Sequence, residues 1–295
     1  MTLFLENTDS INNYIHISNK IRNIPLFFIH FLPIMNVKNI DNDYQLIETE
    51  VVNDNKTTNV KMKGETKREI KYKIINYDKN INQDELCSYV FVEANFAKSI
   101  YHIFYSSSLL HKHDMSFVLG NSPFVGYQNN LPILHDFSHS FSFQDMDSLK
   151  PFFPRQFIQN IHTCSMNTYI SIDVFIITYL LHHNIEHVEA EELDKIVNDY
   201  TKDREKIDKK STTHIVSYFC GYKSKQVIEY LFQFKYTWVY YSLCYYFVLH
   251  YPELLEHFSL YKIFYSYIHS TFTQRVCKDN DDILSTIHKQ LFEGI

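Results

Sequence analysis

Six side chains between positions 111 and 139 are of types that do chemistry: His111, His113, Asp114, His135, Asp136 and His139. Imidazole and carboxylate groups hold zinc or manganese and activate a bound water, so this segment admits a metal-dependent hydrolase. The spacing speaks against it. His135 and His139 lie in the stretch HDFSHSF, directly after the apolar run LPIL, which reads as a strand. Residues four apart on a strand share a face but sit ~13 Å from each other, too far for two ligands of one ion. With sixteen histidines in the chain, some clustering is expected by chance, and the His/Asp metal site is the least favoured reading.

Other chemistries find less support. The chain has five glycines, the first at Gly64. A G-x-G-x-x-G or Walker A loop needs several close together, because only glycine lets the backbone approach phosphates that tightly. Neither loop can be written here. No G-x-S-x-G elbow is present, and Cys87, Cys164, Cys220, Cys244 and Cys277 have no histidine partner nearby in sequence. These cysteines are far apart, odd in number and form no CxxC pair, which fits buried thiols in a reducing compartment.

The composition is that of a folded chain. Hydrophobic residues make up 45% of the 295, enough for a substantial core, and the net charge of −6 gives no global reason to bind nucleic acid. The basic residues from Lys202 to Lys210 are interleaved with acids and read as a solvated, helical-looking surface segment. No basic region followed by an apolar stretch opens the sequence, so no signal peptide is expected. The runs IPLFFIHFLPIM, VFIITYLL and WVYYSLCYYFVL are shorter than the roughly 20 residues of a membrane span and read as buried core.

The elements that must position the candidate residues follow from periodicity. Residues 9–21 read as a short helix, and IPLFFIHFLPI, limited by Pro25 and Pro33, as extended chain. Residues 44–51 and 67–75 carry strand signals, with the polar stretch between them a loop or hairpin tip. From Gln83 to about Leu110 the pattern is helical. Then SPFVGYQNNLPILHDF reads as two short strands joined at QNN. Beyond Ser148 the chain is helical, with apolar helices at 169–182 and 237–250 separated by a polar stretch from 184 to 214. The expected fold class is α+β, with no repeat and no Pro- or Gly-rich linker.

This order, taken with four short motifs, resembles the protein kinase fold, and more narrowly the divergent Ser/Thr kinase-like proteins of large DNA viruses. LPILHDFSHS resembles a strand ending in Asp-Phe-Gly, with Ser138 in the glycine position. The resemblance makes Asp136 the magnesium-binding acid and packs Phe137 into the core. LLHKHDMSFVLGN lies where the catalytic loop H-R-D-x-x-x-x-N belongs; it implies Asp114 as the acid that takes the substrate hydroxyl proton and Asn121 as a second metal ligand. Here the two are seven apart rather than five, Leu119 stands at the fifth position, and Lys112 lies two before the acid. TWVYYSLCYYFVL resembles the buried helix written Thr-Trp-Asp in these proteins, whose Asp ties it to the catalytic loop; Val239 replaces that Asp, and the tie is lost. IHSTFTQR resembles the segment carrying a buried Arg, which places Arg275 opposite Asp173 in YISIDVFIITYLL.

The resemblance implies a two-lobed kinase-like unit, with a reduced N-lobe over 1–82 and a mainly helical C-lobe over 83–295. The first helix corresponds to the αC element, so neither a Gly-rich loop nor the strand bearing the ATP lysine has room before residue 10. Glu6 is the only acid near the αC position, and Lys71 and Lys73 lie on a later strand. The expectation is a catalytically impaired pseudokinase that acts by binding a protein partner. The alternative is an active Ser/Thr kinase using ATP and magnesium on a protein substrate. A viral origin would put the chain in the host cytoplasm, with no membrane span.

Overall fold

The computed structural model describes residues 2–5, 16–31, 36–40, 44–48, 68–71, 91–117, 119, 125–128, 131–134, 137, 140–143, 158, 169–275 and 282–293. Among these the chain is mainly helical with a few short strands, an α+β arrangement.

The front part carries strands β1 (Thr2–Leu5), β2 (Asn36–Ile40), β3 (Tyr44–Glu48) and β4 (Arg68–Lys71). β1 pairs antiparallel with β4, with Leu3 opposite Ile70, and β2 with β3, with Val37 opposite Ile47. The strands expected within 44–51 and 67–75 are thus present. Residues 16–21 form helix α1, which buries Ile17 and Ile21; the rest of the helix expected over 9–21 lies outside the described residues.

The segment after α1 differs from the extended chain expected for it. Phe27–Ile29 form a single 3-10 turn, opened by Leu26 in the left-handed region at φ 56°. The amides of His30 and Phe31 both close back onto the Phe27 carbonyl. Pro25 discourages a regular helix here but does not prevent one short turn. Strand-like pairing begins only at Phe31, which bridges Leu134 in parallel while the Leu134 amide donates to the His30 carbonyl at 2.9 Å.

Helix α2 (Glu93–Lys112) is the scaffold of the middle of the chain. Asn95 accepts from the Val92 amide at 2.9 Å and fixes its start. Phe96, Ile100, Ile103 and Phe104 make the buried stripe that 3.6-residue periodicity demands. Ser106, Ser107 and Ser108 are buried beside them, and each hydroxyl donates to a carbonyl in the preceding turn, so it enters the interior already satisfied.

After α2 come β5 (Met115–Ser116), the hairpin β6 (Val125–Gln128) and β7 (Leu131–Leu134), and β8 (Phe141–Ser142). The hairpin is the one the QNN turn signal predicts, with Gln128 opposite Leu131. β8 returns antiparallel to β5, Ser116 opposite Phe141, just after the end of α2.

The rear is helical: α3 (Ile172–His182), α4 (Ala190–Thr201), α5 (Lys209–Val216), α6 (Ser224–Phe232), α7 (Trp238–His250), α8 (Pro252–His257), α9 (Tyr261–His269), α10 (Phe272–Arg275) and α11 (Asp282–His288). α4 shows plain amphipathicity, with Leu193, Ile196, Val197 and Tyr200 inward and Lys195 paired with Glu191 and Glu192 outside. The basic stretch after it is solvated as expected; residues 202–208 form a connector, and only Lys209 and Lys210 are helical, at the start of α5. Lys206 takes φ 65°, the Tyr245 hydroxyl holds the Glu205 carbonyl, and Asp208 caps α5 through the Ser211 amide.

α7 is buried almost all round and stands between two apolar clusters. Trp238 belongs to the one built on α3, α4 and α6. From Val239 onward α7 joins the other, which includes α1, α2, Phe31, Phe137, α9 and α11. The reading of Trp238 and its aromatic neighbours as core is correct: Trp238 is 2% exposed and Phe247 fully buried. Among the described residues no helix is long and apolar enough to cross a membrane.

Candidate functional site

The end of α2 delivers His111, His113 and Asp114 into a sharp turn before β5. Asp114 has φ 54°, a left-handed conformation uncommon outside glycine. It is held on three sides. Its amide donates to the His111 carbonyl at 3.0 Å, its carbonyl accepts from the Phe143 amide, just after β8, at 2.6 Å, and its Oδ1 accepts from the Tyr236 hydroxyl at 2.8 Å.

Tyr236 stands just before α7 and was not flagged by any sequence motif. Its ring meets Phe143 edge-on at 5.2 Å, and Lys235 places its ammonium 4.6 Å from the centre of Phe143 and 4.9 Å from that of Tyr236. Burial, together with the hydrogen bond and charge of Asp114, pushes the Tyr236 phenol up to about 12, so it stays a donor throughout the physiological range.

His111 faces the other way, into the core. It meets the rings of Tyr240 at 5.0 Å and Tyr236 at 5.5 Å, and neither ring nitrogen has a hydrogen-bond partner among the described residues. Burial alone pulls its pKa down to about 3, which keeps the imidazole neutral. His113 is exposed at the helix end.

The end of α2 has a fastening to the start of α7. Val239 is buried and apolar, as expected. The end of α2 is nonetheless fastened to α7, through the Tyr236 phenol on Asp114 and the packing of His111 against Tyr236 and Tyr240. Tyr236, three residues before Val239, carries no sequence signal of this role, because tyrosines in an aromatic-rich run have no distinguishing pattern.

Of the metal-binding candidates, Asn121 and Asp136 lie outside the described residues, as do His135, Ser138 and His139. Phe137 is described and is fully buried, as expected, between Phe31 at 6.1 Å and Phe117 at 5.4 Å. Phe31 comes from the segment after α1, so that segment is packed directly on the residue following Asp136. Among the described residues no three His, Cys, Asp or Glu side chains gather as a metal site.

Asp173 is fully buried in the first turn of α3. Arg275 ends α10, but its side chain is outside the described ones, and the expected pair with Asp173 with it. Glu6 and Lys73 are likewise outside, and Lys71 ends β4.

The chain matches no protein-family model, no curated protein and no solved structure.

A second polar feature was not anticipated. His30 stacks on His102 with ring centres 4.8 Å apart, and its Nδ1 lies 2.9 Å from the Ser106 hydroxyl. His102 Nε2 in turn lies 3.3 Å from the Ile29 carbonyl. Burial, then the neighbouring His102, lowers the His30 pKa to about 4, so the pair is a neutral clasp between the post-α1 segment and α2.

Proposed function

We propose that this chain is a two-lobed, protein-kinase-like unit with impaired phosphoryl transfer, acting by binding a protein partner. The observation that carries this reading is the engagement of Asp114. Its Oδ1 already accepts the Tyr236 phenol, within a turn clamped by Phe143 and packed on α7 through His111. A carboxylate acting as catalytic base must be open to a substrate hydroxyl, and hydrogen bonding to a structural donor competes with that role. One further feature supports it: the sequence has no phosphate-cradling glycine loop.

One observation favours the active alternative, in which Asp114, Asn121 and Asp136 serve ATP and magnesium. Asp114 is only half-buried and sits in a strained left-handed conformation, and such strain collects at functional sites.

The deciding experiment pairs thermal unfolding with ATP and magnesium and a γ-phosphate transfer assay. A ligand that binds only the folded state must raise its stability. The proposed reading expects no shift and no transfer. Metal-dependent transfer abolished by Asp114→Asn and by Asp136→Ala would replace it with the active alternative.

A further inference from the structure

A small cavity lies where α4, α5 and α7 meet the end of α9. Its interior, about 20 Å³ as measured to the centre of a water molecule, admits one group of that size. Ile172 and Ile268 wall it from the buried side, while Ile207 and Ile215 are half-buried and Ser211 at the rim is exposed.

Every hydroxyl proton on this lining is already committed to the protein. Ser211 Oγ donates to Asp208 Oδ2 at 2.6 Å, Thr212 Oγ1 to the Asp208 carbonyl at 2.8 Å, and Ser270 Oγ to the Ser266 carbonyl at 2.7 Å. The Tyr200 hydroxyl donates to the Ile170 carbonyl at 3.2 Å, so its 2.9 Å bond with Tyr241 takes the Tyr241 proton. His269 completes the set. Its ring hydrogen-bonds the Lys206 carbonyl, and its Nε2 is buried with no partner. The bond to a carbonyl must come from an N–H, which puts the proton on Nδ1 and leaves Nε2 a bare acceptor.

A buried acceptor without a donor is costly, and nothing on the lining can supply one. The missing partner therefore has to bring a proton to share. An anion or a ketone brings only further lone pairs. A cation meets the other obstacle: burial lowers the His269 pKa despite the Lys206 carbonyl and the Asp208 charge, so the site resists positive charge. Water can donate, but it leaves Ile207 and Ile215 uncovered, whereas a donor carrying a short hydrocarbon covers them too.

We propose that this cavity binds a small neutral ligand that donates a hydrogen bond from a short apolar body, the chemistry of a short-chain alcohol. The hydroxyl enters and donates to His269 Nε2, and the carbon part rests on Ile207 and Ile215. This site does not depend on the reading of Asp114.

The test titrates the full chain, labelled at isoleucine methyls and histidine nitrogens, with propan-2-ol and with acetone, followed by nuclear magnetic resonance. The two probes share size and shape, and only propan-2-ol has a proton to donate. Propan-2-ol should shift the Ile207, Ile215 and His269 Nε2 signals saturably, and acetone should bind roughly fivefold or more weakly. His269→Phe keeps a ring but removes Nε2, and should bring propan-2-ol down to the affinity of acetone; thermal unfolding checks that this variant is folded. The wild-type comparison decides the matter even if it is not. No saturable shift at Ile207 and Ile215 with propan-2-ol overturns the proposal. So do equal affinities for the two probes, and so does a preference for the alcohol that survives His269→Phe.

Discussion

The Tyr236 hydroxyl donates to Asp114 Oδ1 across 2.8 Å, joining residues 122 apart in sequence. This bond fastens the turn at the end of α2 to the start of α7, three residues before the buried Val239.

Removing it with Tyr236→Phe keeps the ring against Phe143 and His111 and deletes only the donor. Since Asp114 is partly open to water, the expected loss is modest, about 1 kcal/mol. Chemical denaturation measures it. If the active alternative holds, the same change frees Asp114 and raises phosphate transfer; under the binding reading transfer stays absent.

Acid should unfold the chain earlier than its surface histidines suggest. His111 and His30 titrate at about 3 and about 4 in the folded state, below the ordinary 6.5, so the unfolded chain takes up protons first. The stability from keeping them neutral is fully present above about pH 6.5 and is lost as pH falls toward their folded values. At pH 4.5 the fully buried His111 alone should account for a loss of roughly 2–3 kcal/mol. Denaturation midpoints from pH 7 to 4.5 should fall steeply, and His111→Leu should flatten the slope. An unchanged slope in that variant would show that His111 is not the group responsible.

Ser106→Ala leaves His30 Nδ1 without its hydroxyl partner in a buried position, at an expected cost of about 1–2 kcal/mol. The loosening should be local. Amide exchange is expected to speed up at residues 27–31 before it does in α7, and uniform acceleration would place the clasp outside the docking of this segment.

Phe247 is fully buried and packs edge-on against Phe91 and Phe96. Phe247→Ala should cost about 3–5 kcal/mol through lost burial and the cavity left behind. A loss under about 1 kcal/mol would mean that α7 is not the axis of the core.

Much of the framework was legible from local patterns. The β6–β7 hairpin announced itself by apolar runs around QNN, the two apolar helices by their composition, and α2 by its periodic stripe, because each pattern reports which face of an element avoids water. The post-α1 segment was misread. Two prolines in an apolar run favour extended chain locally, yet a 3-10 turn docked on α2 buries Ile24 and Phe31, and tertiary contact outweighs the local preference.

The sequence by itself determined the absence of a phosphate-binding glycine loop, a chain rich enough in apolar residues to fold, and the order of strands and helices. These depend on residue types and on spacings of a few positions. Only the tertiary structure decided that Tyr236 meets Asp114, that His30 clasps His102 and Ser106, and that Leu26 and Phe28 stand in solvent. Each joins or exposes groups through contacts between elements far apart along the chain. A tyrosine, a histidine or a leucine looks the same in sequence whether the fold turns it inward, outward or toward a partner 122 residues away.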